Sequence, residues 1–121
     1  MGYRSDVYIA IDAEIYFAHE MGINGHLPLL FKEADSINLI KRDENSYHLI
    51  TFSSIKWYES YSYVKEVTNL LSKYIDSNQA AYAVAGEDWD DYEEYGDIGY
   101  YEIEIVHSSP TIYHPELNYG E

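Results

Sequence analysis

The sequence predicts an α+β fold: a mixed or antiparallel sheet with two helices on one face and one extra strand. Three observations predict it. Short apolar or alternating runs of strand length recur at 7–11, 37–40, 47–57, 80–85 and 100–106. One longer segment, residues 60–74, has helical apolar spacing instead. No internal repeat or inter-domain linker interrupts the 121 residues, so a single domain is expected over 1–121.

Val7-Tyr8-Ile9-Ala10-Ile11 follows polar residues and reads as a buried strand. Leu27, Leu30, Phe31 and Ala34 have helical spacing, and Pro28 suits a first helical turn. Gly22 and Gly25 bound that segment, so a helix is expected at about 26–35. Residues 15–21 before it fit either an extension of the strand or a separate turn of helix. A polar turn at 41–46 joins the runs 37–40 and 47–57 into a hairpin. In the second run both alternating sets are apolar, so alternation leaves its inward side open. Val64, Val67, Leu70, Leu71 and Tyr74 form one stripe of the helix at 60–74. Residues 80–85 are small, apolar and strand-like. An acidic loop or short helix follows at 86–97, then a last strand at 100–106. Pro110, Pro115 and Gly120 suggest an irregular tail over about 108–121. This order matches a ferredoxin-like split β-α-β arrangement with an added strand.

The chain has no cysteine, which excludes disulfides, zinc thiolates and cysteine nucleophiles. A hydrophobic content of 46% and 15 tyrosines argue against disorder despite the charge. Tyrosine suits half-buried sheet faces and interfaces, and most of these are expected in the sheet. The opening residues lack the apolar stretch of a signal peptide, and no apolar run is long enough to span a bilayer. Gly2 is followed by Asp6, where myristoylation requires Ser or Thr. A cytoplasmic protein is the expectation.

The charge is unevenly placed. Residues 1–73 carry ten acids and all seven bases; the last 48 carry twelve acids and no base. A formal net charge of −15 disfavours anionic membranes and direct nucleic-acid binding. Concentrated in one part of the chain, such charge serves solubility, steering or presentation to a cationic partner. Glu87, Asp88, Asp90, Asp91, Glu93, Glu94 and Asp97 fall within the acidic connection, interrupted by Trp89, Tyr92 and Tyr95. If the segment is helical, the three aromatics share one side, as anchors to the body or to a partner. In the last strand Glu102 and Glu104 share one face, opposite Tyr101, Ile103 and Ile105. Two strand residues advance about 6.6–6.8 Å, similar to the step between successive phosphates. Such acids could occupy a cleft built for DNA or RNA.

Other chemistry has weaker sequence support. An EF-hand starting at Asp88 would place Glu93 where glycine is required and Gly99 where glutamate is required. An irregular divalent-cation site or metal-dependent hydrolysis stays open as an alternative. So does a structural or regulatory homodimer with exposed tyrosines at its interface. Paired-carboxylate catalysis needs acids converging into a cleft, whereas adjacent acids on one loop diverge. His19, His26, His48, His107 and His114 show no metal-ligand spacing, and there is no glycine-rich phosphate loop. No catalytic residue, metal ligand or cofactor is assigned.

Three islands, Gly2-Tyr3-Arg4-Ser5-Asp6-Val7, Ser54-Ile55-Lys56-Trp57-Tyr58 and Gly86-Glu87-Asp88-Trp89-Asp90-Asp91, resemble a set of small uncharacterised phage and prophage proteins. The resemblance implies a phage-associated context inside a bacterial host and carries no activity. By analogy it points to acidic, DNA-mimicking inhibitors of host defence, including anti-CRISPR and anti-restriction proteins. The expectation is a non-enzymatic inhibitor whose acidic surface binds a basic, nucleic-acid-binding host protein. The binding set is Glu87, Asp88, Asp90, Asp91, Glu93, Glu94, Asp97, Glu102 and Glu104, with Trp89, Tyr92 and Tyr95.

Overall fold

A computed structural model describes residues 4–22, 26–43, 45–87, 91–106 and 111–118. The chain is α+β. Its five-stranded sheet is antiparallel throughout, built from β1 (Ser5–Asp12), β2 (Ser36–Ile40), β3 (Tyr47–Ile55), β4 (Ala80–Ala85) and β5 (Tyr92–Tyr95). The order across the sheet is β2-β3-β1-β4-β5. Helices α1 (Ala13–Glu20) and α2 (Ser62–Ile75) pack on one face. A second, two-stranded sheet pairs β6 (Glu104–Val106) with β7 (Thr111–Tyr113), and a short helix α3 (Pro115–Asn118) follows. Among the described residues no helix is long and apolar enough to cross a membrane.

The inner strands β1, β3 and β4 are buried on both faces, which explains the doubly apolar pattern of β3. On the helix side Val7, Ile9, Ile11, Ile50, Phe52 and Val84 meet Val67 and Leu71 of α2. Complete burial of a residue such as Leu71 contributes about 1.5–3 kcal/mol. On the opposite side Ala10, Ala81, Ala83 and Ala85 form a low floor. Ile98, Tyr101, Ile103, Ile105 and Ile112 fill it from the C-terminal segment. Small side chains on the strands leave room for this third layer to approach closely.

Outside residues 86–106, two expected elements differ. The helix at 26–35 is only a 3-10 turn over Leu29–Glu33, and the helix proper is α1. Leu30 and Phe31 reach the core from that single turn. Ala34 is already extended, and the Asp35 N–H donates to Thr51 O at 2.8 Å as the chain enters β2. Continuing the helix would forfeit that sheet entry. The tail expected to be irregular is ordered over 111–118: it pairs β7 with β6 and buries His114 completely.

Polar contacts clamp the C-terminal layer to the sheet. His114 Nδ1 accepts the Glu116 N–H at 3.1 Å, which places the ring proton on Nε2. Nε2 therefore donates to the Tyr47 hydroxyl at 2.6 Å, and that hydroxyl donates to Tyr101 O at 2.8 Å. The Tyr101 hydroxyl donates to Asp12 Oδ1 at 2.8 Å. Arg42 lies 4.6 Å from the Tyr47 ring centroid and 4.5 Å from that of Tyr100. Its Nε donates to Asn45 O at 2.9 Å. One of the seven bases is thus committed to holding the acidic half against the rest.

Candidate acidic and aromatic binding site

The acidic segment meets the body as strand β5. Its backbone pairs antiparallel along the edge of β4, with Tyr92 opposite Ala85 and Tyr95 opposite Tyr82. The side-chain period is therefore two, and the expected helical stripe does not form. Tyr92 and Tyr95 face opposite sides of the sheet: Tyr92 packs into the C-terminal layer and Tyr95 into the helix layer. Trp89, Asp88 and Asp90 lie outside the described residues.

This alternation divides the acids. Glu93 shares the helix side with Tyr95, whose hydroxyl donates to Glu93 Oε1 at 2.6 Å. Glu94 turns to the other side, where it lines a recess of about 600 Å³ with Glu102 and Glu104. Asp97 accepts the Tyr100 N–H at 3.2 Å and caps the 3-10 turn Ile98–Tyr101. Glu87 Oε1 accepts the Arg4 N–H at 3.0 Å. Asp91 O accepts the Gly86 N–H at 2.7 Å and closes the connection between β4 and β5. All of these side chains are exposed.

The expected regular row of Glu102 and Glu104 is corrected as well. Glu102 occupies the left-handed region at φ 64, between the 3-10 turn and β6, and β6 starts at Glu104. The buried–exposed alternation from Tyr101 to Ile105 survives, so both glutamates still face outwards. The strand-like 6.6–6.8 Å spacing of charges requires extended residues on both, and Glu102 breaks it.

On the helix side, Glu93 and Tyr95 join Trp57, Tyr58, Glu59, Tyr82 and Asp91 around a cleft of about 300 Å³. The Tyr82 and Tyr95 rings stack at 4.6 Å, and Trp57 stands 6.5 Å from Tyr82. Burial, reinforced by the negative charges of Glu93 and Glu59, pushes the Tyr82 phenol up to about 12. Tyr95 is raised chiefly by its hydrogen bond to Glu93, then by burial. The charges of Glu93 and Glu59 act on both phenols in addition to these leading causes. Aromatic faces and carboxylates together suit a guanidinium or ammonium group.

Described residues of the segments 4–7, 54–58 and 86–91 meet at this end of the sheet. Ser5, Trp57 with Tyr58, and Gly86 with Asp91 all line the cleft. Ser54 sits at φ 56 beside a register shift between β1 and β3. Its N–H donates to Asp6 Oδ1 at 2.9 Å, and its carbonyl accepts from Arg4 Nη1 at 2.9 Å. Arg4 and Asp6 thus hold the bulge from which the chain leads to Trp57. Trp57, Tyr58, Glu59 and Tyr82 were absent from the binding set expected from sequence. The Lys56-Trp57-Tyr58-Glu59 run was the available signal, but nothing in sequence places it next to residues 91–95.

Among the described residues, no three His, Cys, Asp or Glu side chains form a group that could hold a metal ion. Comparison with protein-family models, curated proteins and solved structures finds no match to this chain.

Proposed function

We propose that this protein is a non-enzymatic inhibitor of phage type, acting in the bacterial cytoplasm. It binds a basic, nucleic-acid-binding host defence protein, such as a CRISPR effector or restriction complex. The observation that carries the reading is the cleft at the β5 edge, where Trp57, Tyr82 and Tyr95 meet Glu59, Asp91 and Glu93. A partner's arginine or lysine enters the cleft, while Glu94, Glu102 and Glu104 present charge on the other side of β5. The partner's nucleic-acid site is the surface with matching positive charge, so binding competes with nucleic acid. Charged side chains also keep this edge from pairing with other strands, which a purely structural role would equally require.

We also propose that β1 to β4 form a ferredoxin-like split β-α-β arrangement, with β5 as the added strand. The order β2-β3-β1-β4 supports it, with α1 lying between β1 and β2 in sequence and α2 between β3 and β4.

The function is tested in bacteria carrying an active CRISPR or restriction system. Expression of the wild type is expected to raise transformation by a targeted plasmid. Glu59, Glu93, Glu94 and Glu104 reversed together to Lys are expected to remove that protection, with circular dichroism unchanged. Binding of the purified effector should weaken as salt rises, and the variant should associate about 10–10³-fold more slowly. A folded variant that protects as well as the wild type refutes the acidic-surface reading.

A further inference from the structure

The opposite edge of the sheet has a different character. Among the described residues, the exposed large apolar side chains other than tyrosine are Phe17, Met21, Leu29, Ile37 and Leu39. They belong to α1 and its C-cap Met21, the 3-10 turn and β2. Ile37 and Leu39 are 38% and 41% exposed, although they share the helix-covered side: Leu39 pairs with His48, which stacks on Tyr16 of α1 at 3.8 Å. Phe17 meets the same His48 ring at 4.9 Å. Among the described residues β2 pairs with β3 alone, so its other edge borders an apolar surface with no strand of the described residues beside it. Proteins ordinarily cover or charge such an edge.

We infer that β2 is the interface of a symmetric dimer, paired antiparallel with β2 of a second copy about a two-fold axis at Asn38. The segment Asp35-Ser36-Ile37-Asn38-Leu39-Ile40-Lys41 is self-complementary in that register. Asp35 falls opposite Lys41 of the second copy and Ile37 opposite Leu39. Ile37 and Leu39 share one side of β2, Asp35 and Lys41 flank it, and all four are exposed; Asp35 Oδ2 also accepts the Ser53 N–H of β3. A slip of two residues either way sets Lys41 against Ile37 or Asp35 against Leu39, which loses the ion pair and exposes an apolar side chain to a charge.

The net charge of −15 does not oppose this assembly. Most of the unbalanced acids follow β4, and β5 is the far edge of the sheet. Nine strand spacings separate the two β5 strands of the dimer, roughly 40 Å at about 4.8 Å each, against a Debye length of about 8 Å. The acidic edges face outwards at both ends of one ten-stranded sheet.

Sedimentation and light scattering across a concentration series test the dimer, with a protomer of 14.1 kDa. The wild type is expected at twice that mass and Leu39→Lys at the protomer mass, with unchanged circular dichroism. The chain has no cysteine, so a single introduced thiol reports proximity cleanly. Asn38→Cys is expected to form a disulfide dimer under mild oxidation, and Ser72→Cys, exposed on α2, is expected not to. A wild type that stays monomeric overturns the proposal and leaves this edge to a different chain. A dimer that persists in Leu39→Lys, or cross-linking no faster at 38 than at 72, overturns it equally.

Discussion

Tyr47→Ala is expected to destabilise the protein by about 3–5 kcal/mol, the range for removing a buried large aromatic side chain. Tyr47 is completely buried and sits between β3 and the C-terminal layer. Its loss opens a cavity against Tyr101, 5.0 Å away between ring centroids, and removes the hydroxyl that contacts both His114 Nε2 and Tyr101 O. Tyr47→Phe keeps the volume and removes only the hydroxyl, so about 1–3 kcal/mol is expected. Urea unfolding separates the two, as a shift of midpoint at constant slope.

The same clamp sets a pH dependence. Burial holds the His114 imidazole below its ordinary value, ahead of the opposing charges of Glu102 and Glu116; burial does the same for His48 against Glu20. Both rings therefore take up a proton more readily in the unfolded chain than in the fold. Stability is therefore complete above the unfolded histidine value near 6.5 and declines as pH falls from there towards the depressed folded values. A protonated His114 would also set an Nδ1–H against the Glu116 N–H. Asp12 acts with the opposite sign at lower pH: burial raises its carboxyl above the ordinary value, outweighing the Tyr101 hydrogen bond and Arg42. Replacing His114 with Gln should flatten the decline below pH 6.5. An unchanged slope would assign that decline to other groups.

The second large effect is expected at Gly96, which ends β5 at φ 77. A Cβ there would lie 2.9 Å from Ala80 O and 3.1 Å from Ala81 Cβ. Left-handed backbone costs an ordinary residue about 1–2 kcal/mol, and the contact with backbone cannot relax without moving β5 from β4, so Gly96→Ala should cost about 2–3 kcal/mol. Because β5 carries Glu93 and Tyr95, the same change should weaken partner binding. Gly99→Ala is the control: its nearest neighbour is a carboxylate oxygen at 3.6 Å, an ordinary contact. Thermal melts that show equal losses at 96 and 99 would contradict this reading.

Where one physical constraint dominated, local sequence was sufficient. The stripe of Val64, Val67, Leu70 and Leu71 became the buried side of α2, because a 3.6-residue period admits one inward face. The apolar runs at 7–11 and 80–85 became central strands, and the 37–40 and 47–57 runs paired as the β2–β3 hairpin. The 26–35 segment misled because the spacing that makes one helical face also suits a 3-10 turn with apolar residues dipping inwards. The acidic connection misled for a related reason. Aromatic residues three apart suggest a helix in isolation, but an exposed β4 edge supplies backbone partners that only a strand can use.

The base-free, acid-rich second half was determined by sequence alone, as were the α+β class and the absence of thiol chemistry. Tertiary structure decided how that charge is presented. Strand geometry sends Glu93 and Glu94 to opposite sides of β5, and Glu102 leaves the extended conformation, so the acids border two recesses rather than form one ladder. Packing also brings Trp57, Tyr82 and Glu59 to the acids. Those contacts span from about ten to almost forty positions, where sequence periodicity carries no information; only burial of a two-faced sheet brings such distant residues together.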